Sequence, residues 1–148
     1  MTKKVILVLL LCASVLPAIE AGIFVGKTGE PSLTAYGVSF GLGFFLPVPF
    51  VKMEIEGWKM ANDTHDSLSV GVMWRPKFRV FAPYVVAGAG AQFPQLNLHF
   101  STYDFFTFLG GGLHIYARNF LSLRLDYRLL NLPGANRSRF SAGIFFHL

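Results

Sequence analysis

The stretch Leu121–Leu129, Leu-Ser-Leu-Arg-Leu-Asp-Tyr-Arg-Leu, alternates without a break. Leu121, Leu123, Leu125, Tyr127 and Leu129 are apolar or aromatic, and Ser122, Arg124, Asp126 and Arg128 between them are polar. A period of two places the two sets on opposite faces of a β-strand, whereas a helix would spread both around its circumference. The fold therefore has to find a home for one apolar face and one charged face. A soluble barrel turns the apolar face inward; a barrel that spans a membrane turns it outward, to lipid.

Composition points to the second arrangement. Of the 148 residues 53% are apolar and only 14% are charged, against roughly 25% charged in an average soluble domain. Beyond the N-terminus no apolar run reaches the roughly 20 residues that a spanning helix needs. Strands that alternate can cross a membrane without such a run, because only one face of each has to be apolar. The net charge of +5 raises nucleic acid as a partner. The basic residues are scattered singly along strands and turns, however, so no nucleic-acid partner is expected.

The first 21 residues differ from the rest. Lys3-Lys4 is a basic head, Val5 to Leu16 an apolar core, and Pro17 to Ala21 a cleavage region. This reads as a secretory signal peptide over residues 1–21, cut after Ala21, with a barrel domain over residues 22–148. Cys12 as a lipid-modified first residue is disfavoured by Leu11 before it, where a small residue belongs. Removing the leader removes the single Cys, so neither a disulfide framework nor a thiol catalyst is expected.

Eight strand signals follow, bounded by Pro, Gly, Asn, Asp and Ser clusters. They run over Gly22 to Lys27, Leu33 to Phe45, Phe50 to Met60, Leu68 to Arg75, Arg79 to Phe93, Phe105 to Tyr116, Leu121 to Leu129 and about Phe140 to Leu148. The connections near Pro47, Pro76 and Arg118 read as tight turns, and most of those at the other end as longer polar loops. The fold class is all-β: an eight-stranded antiparallel up-and-down transmembrane barrel, closed so that no strand edge meets lipid.

Parity then sorts the charges. Lys52, Glu54, Glu56, Arg124, Asp126 and Arg128 all fall on the face opposite the bulky apolar residues. The expected lumen network therefore comprises these six, with Glu54 and Glu56 meeting Arg124 and Arg128. The expected lipid face includes Leu121, Leu123, Leu125, Tyr127, Phe140, Ile144 and Phe146. Trp58, Trp74, Tyr103 and Tyr116 are expected in the aromatic girdles at the two interfaces.

The leader, Pro83-Tyr84 before a Gly/Ala-alternating strand, Gly110-Gly111-Gly112 and the Leu-Arg-Leu-Asp-Tyr-Arg strand resemble the small outer-membrane β-barrel superfamily of opacity-type, OmpX-like and Ail-like proteins. The last strand, with Phe140, Ile144, Phe146 and Leu148 on one face, is similar to the C-terminal insertion signal of such barrels, although that signal ends in Phe or Tyr. The resemblance implies residence in the outer membrane of a Gram-negative-type bacterium. It also implies contact with outer-membrane lipids, insertion by the barrel-assembly machinery, and a monomer.

It raises one enzymatic alternative as well. The lipid A deacylases resemble this chain in size and strand layout, and they carry a His-x-Ser pair on a late strand, followed by an acidic residue. A base has to reach its nucleophile within hydrogen-bonding distance, and period two provides that. In the corresponding strand this chain has Asp126-Tyr127-Arg128. His99-Phe100-Ser101 has the spacing but falls in the long connection from Pro94 to Thr102, with Asp104 the nearest acid. His65, His114 and His147 lie on separate segments without metal-ligand spacing; His114 with Tyr116 is expected among the lumen hydrogen bonds, and His65 in a solvated loop. No catalytic residue, metal or cofactor is therefore expected. The expected role is structural or surface-associated; a lipid A-modifying hydrolase and a soluble lipocalin-like binding barrel are the alternatives.

Overall fold

The computed structural model describes residues 19–29, 32–43, 50–94 and 103–148. The described residues form eight strands: β1 (Ile19–Thr28), β2 (Thr34–Gly43), β3 (Val51–Met60), β4 (His65–Trp74), β5 (Phe81–Pro94), β6 (Asp104–Arg118), β7 (Leu121–Leu132) and β8 (Ala135–His147). Each is antiparallel to the next, and β1 also pairs with β8, from Glu20 opposite His147 to Thr28 opposite Arg139. The sheet is a closed barrel, which leaves no edge to be satisfied by solvent.

The apolar face is on the outside. Val70, Leu123, Tyr127, Phe140, Ile144 and Phe146 are each between 43% and 55% exposed, whereas Glu54, Glu56, Arg124, Asp126 and Arg128 are at most 2% exposed. Leu121 and Leu125 share that outward face and are half-buried. This is the reverse of a soluble barrel.

Several boundaries differ from the sequence reading. β1 begins at Ile19 rather than Gly22. β4 begins at His65, in what reads as a polar loop, because the turn before it is tighter than its polarity suggests. Asn62 adopts φ 65°, and Asp63 Oδ1 accepts the His65 backbone N–H at 3.0 Å and lies 2.7 Å from its Nδ1. β5 begins at Phe81, after Arg79 at φ 53° and a bridge between Phe78 and Phe81. The stretch Leu132 to Arg137, read as a loop, is a two-residue hairpin, since only Pro133 and Gly134 lie between β7 and β8.

Loop lengths follow from these bounds. At the end holding Leu148 the strands leave residues 44–50, 75–80 and 119–120; at the far end they leave 29–33, 61–64, 95–103 and 133–134. The tight turn expected near Pro47 and most of the long connection from Pro94 to Thr102 lie outside the described residues. Among the connections fully described, 61–64 and 133–134 at the far end are no longer than 75–80 and 119–120, so the expected contrast is not present there. Polarity alone overestimates loop length where Asx bonding or a Pro-Gly pair makes the turn.

Gly134 has φ +80° after Pro133, the arrangement of a type II turn, which requires a left-handed residue in the third position. A Cβ there would meet no neighbour, so the cost of substitution is conformational only. Gly134→Ala is expected to destabilise the folded barrel by about 1–2 kcal/mol, measured as a lower temperature for conversion of the compact gel band to the unfolded one.

Candidate functional site

The barrel interior is built in three layers along its axis, and period-two strands place every side chain in it. At the far end Trp58, Met60, Phe106, Leu130 and Leu132 form a buried apolar cluster, with Trp58 edge-on to Phe106 at 6.1 Å between ring centres. Trp58, expected in an interfacial girdle, points inward, and so does Tyr116, which the sequence offers both to a girdle and, with His114, to the lumen. Their parity decides this: Trp58 shares the face of Glu54 and Glu56, and Tyr116 that of His114. Trp74, on the opposite face of β4, is 49% exposed on the outside.

The middle layer is ionic. Arg124 donates to Glu54 at 2.9 Å and to Glu56 at 3.3 Å. Arg128 donates to Glu54 at 2.5 Å and through Nε to Asp126 at 2.9 Å, and lies 3.2 Å from Glu56. Arg139 Nη2 lies 2.6 Å from Glu56 Oε1. Tyr84 donates its hydroxyl proton to Asp126. Three carboxylates thus face three guanidiniums, all at most 2% exposed. Each arginine also lies against an aromatic face: Arg124 is 4.2 Å from the Phe145 ring centre, Arg128 5.0 Å from Phe108 and Arg139 4.8 Å from Phe24. Cation–π attraction strengthens when the pair is desolvated.

Glycines make room for these long side chains. Arg128 pairs across the sheet with Gly110, Asp126 with Gly112 and Arg124 with Gly143. A Cβ on Gly112 would sit 2.7 Å from Tyr84 Oη, in the space that lets Tyr84 reach Asp126.

Lys52 does not join this layer. It sits one step nearer the Leu148 end, where Nζ donates to Glu20 at 3.2 Å. Arg75 donates to the same carboxylate at 3.0 and 2.5 Å. The rest of this third layer has a defined hydrogen-bond direction. A guanidinium only donates, so Arg75 Nη1, 3.0 Å from His114 Nε2, makes that nitrogen an acceptor. His114 then carries its proton on Nδ1 and donates to Ser122 Oγ at 3.1 Å. The Ser122 hydroxyl is left to donate to His147 Nε2 at 2.7 Å, and His147 Nδ1 lies 3.3 Å from Glu20. Tyr116 lies beside both histidine rings. A depression of about 280 Å³ lined by Lys52, Arg75, Lys77, Tyr116 and His147 opens at this end.

The order serine, histidine, glutamate is that of an activated nucleophile with its base and orienting acid. Ser122 is nevertheless 1% exposed, lies beneath His147, and its oxygen already accepts from His114. Where a deacylase-like His and Ser would stand, Asp126 and Arg128 bond each other, and Arg128 also donates to Glu54. His99, Ser101 and Cys12 lie outside the described residues. Among the described residues no group of three His, Cys, Asp or Glu side chains is placed to hold a metal ion.

No family model matches the sequence, and no curated protein matches it. Solved structures do. The N-terminal β-barrel domain of Pseudomonas aeruginosa OprF aligns with a TM-score of 0.72 at 16% identity, over 88% of this chain and 97% of that one. The fold is that of the small outer-membrane β-barrels. Neisserial surface protein A aligns at 0.65 and 12% identity, over 88% of this chain and 96% of its own. The outer membrane enzyme PagL aligns at 0.58 and 16%, over 86% and 98%. The likeness is one of architecture and is shared by proteins with and without catalysis, so the residues have to decide the task.

Residues that sequence reading missed are Glu20, Arg75, Tyr84 and Arg139. Parity could have found two of them. Arg75 alternates with the outward Trp74, and Arg139 with the outward Phe140.

Proposed function

We propose that this protein is a structural, surface-associated barrel of a bacterial outer membrane, held in lipid by its apolar exterior and made rigid by its packed interior. The observation that carries the reading is the middle layer, where three buried acids and three buried arginines are mutually paired beneath an apolar cluster. Such an interior suits neither a ligand cavity nor a water-filled channel, since eight strands enclose only enough space for side chains. Lipids of the outer membrane and the barrel-assembly machinery are the expected partners, with a monomer as the working unit.

The protein is expected to stay with the membrane fraction after a urea wash and to give no conductance steps in a planar bilayer. Release by urea would favour a soluble barrel. Regular conductance steps would show an open lumen and end the sealed-interior reading.

The hydrolase alternative is favoured by one observation, the Ser122–His147–Glu20 alignment, and by fold similarity to an outer membrane enzyme. The buried position of Ser122 weighs against it, because a nucleophile has to reach its substrate. Purified barrel is expected to show no covalent labelling by a fluorophosphonate. The lipid A mass profile of cells expressing it is expected to match that of cells expressing Ser122→Ala. Labelling lost in Ser122→Ala, together with a changed lipid profile, would establish the enzyme instead.

A further inference from the structure

Glu20 stands two residues upstream of the first position that the sequence assigns to the mature protein, yet it is among the most completely housed side chains of the barrel. Its carboxylate is 2% exposed and is held by Arg75 through two hydrogen bonds, by Lys52, and by His147. Arg75, with its side chain 3% exposed, has no other acidic partner among the described residues, and neither has Lys52.

The backbone gives an independent argument. Ile19, Glu20 and Ala21 pair in register with Leu42, Gly41 and Phe40 on β2, and Glu20 and Ala21 also pair with His147 and Phe146 on β8. The Leu148 N–H donates to the Ile19 carbonyl at 2.8 Å. These residues complete the seam where the barrel closes. Gly41, directly opposite Glu20, has no side chain where one would collide: its Cβ would fall 2.3 Å from Glu20 Cγ and 2.6 Å from Oε1. The neighbouring strand is shaped around this glutamate.

Removal of residues 1–21 would leave Arg75 and Lys52 side by side without the carboxylate they share. It would also leave His147 and Leu148 without partners on β1. We infer that the leader is cut upstream of Ile19, so that Glu20 remains in the mature chain as the acid that Arg75 and Lys52 share at the Leu148 end of the lumen. Ala18 places a small residue immediately before the bond to Ile19, with Leu16 two positions further upstream. The inference rests on the export reading but goes beyond it, since it specifies which bond is cut and why the fold needs it.

The test is the intact mass and N-terminal sequence of the protein purified from membranes after expression of the full chain. A cut chain that includes Glu20 is expected. A chain beginning at Ala21 or later would overturn the inference while leaving an exported barrel intact; a chain not cut at all would overturn both. The variant Glu20→Gln gives a second reading, because a residue discarded with the leader cannot affect the finished barrel. It is expected to lower the temperature at which the compact gel band unfolds by several degrees. An unchanged unfolding temperature in Glu20→Gln would count against retention.

Discussion

Arg128→Met is expected to destabilise the folded barrel by about 3–5 kcal/mol, the range for removing one member of a buried ion pair. Arg128 reaches Glu54, Glu56 and Asp126 together, so its loss leaves three carboxylates facing the two guanidiniums of Arg124 and Arg139. The penalty is the desolvation of an uncompensated anion far more than the loss of one contact. Methionine keeps most of the side-chain length and can still lie on the Phe108 ring, which isolates the charge. The measurement is a urea titration of refolded protein in lipid vesicles, followed by the compact gel band. Adding Asp126→Asn restores the balance at two and two and keeps a partner for the Tyr84 hydroxyl. The double variant is therefore expected to be more stable than the sum of the single variants by about 0.5–3 kcal/mol. Arg128→Met within about 0.5 kcal/mol of the parent, with strictly additive effects, would mean that the layer contributes nothing as a unit.

That experiment probes a feature whose parts were readable but whose assembly was not. Alternation alone places Glu54, Glu56, Arg124, Asp126 and Arg128 on one face of their strands. It cannot say that Glu54 on β3 and Arg124 on β7 meet at 2.9 Å, because that depends on barrel closure and on the stagger of strands between them. Lys52 shows the limit. It has the right parity for the ionic layer, but its depth pairs it with Glu20 instead.

The residues that were missed share a cause. Around Asn136, Arg137 and Ser138 both faces of β8 are polar, so the alternation fades and the strand reads as starting only at about Phe140, which leaves Arg139 outside it. Glu20 lies within a stretch whose composition suits a leader, which places it outside the strand pattern. Residue type makes Trp58 an interfacial aromatic, against the parity of its own strand, whereas the parity of β6 already puts Tyr116 with His114 on the lumen side. In each case the strand's period was the better guide, because in a closed barrel one step of sequence exchanges lipid for lumen.

The outer face allows the other large expected effect. Val70→Arg is expected to destabilise the barrel in lipid by about 2–4 kcal/mol, the cost of an arginine near the midplane of a transmembrane barrel. Val70 lies at the middle of β4, pairs with Ile55 and Ala89, and is 46% exposed. A guanidinium there has apolar neighbours on both sides, while Glu54 and Glu56, next to Ile55 in sequence, point into the lumen. Asn131 is the matched control: it faces outward near the far end of β7, and Asn131→Arg is expected to cost only about 0–1 kcal/mol. The contrast separates lipid from water as the surroundings of the exterior. In a soluble barrel both positions would face the same solvent, and arginine would be tolerated equally at each. Equal small effects at Val70 and Asn131 in vesicles would therefore undo the membrane reading. A steep dependence on depth would tie the alternation of β4 to a bilayer of finite thickness.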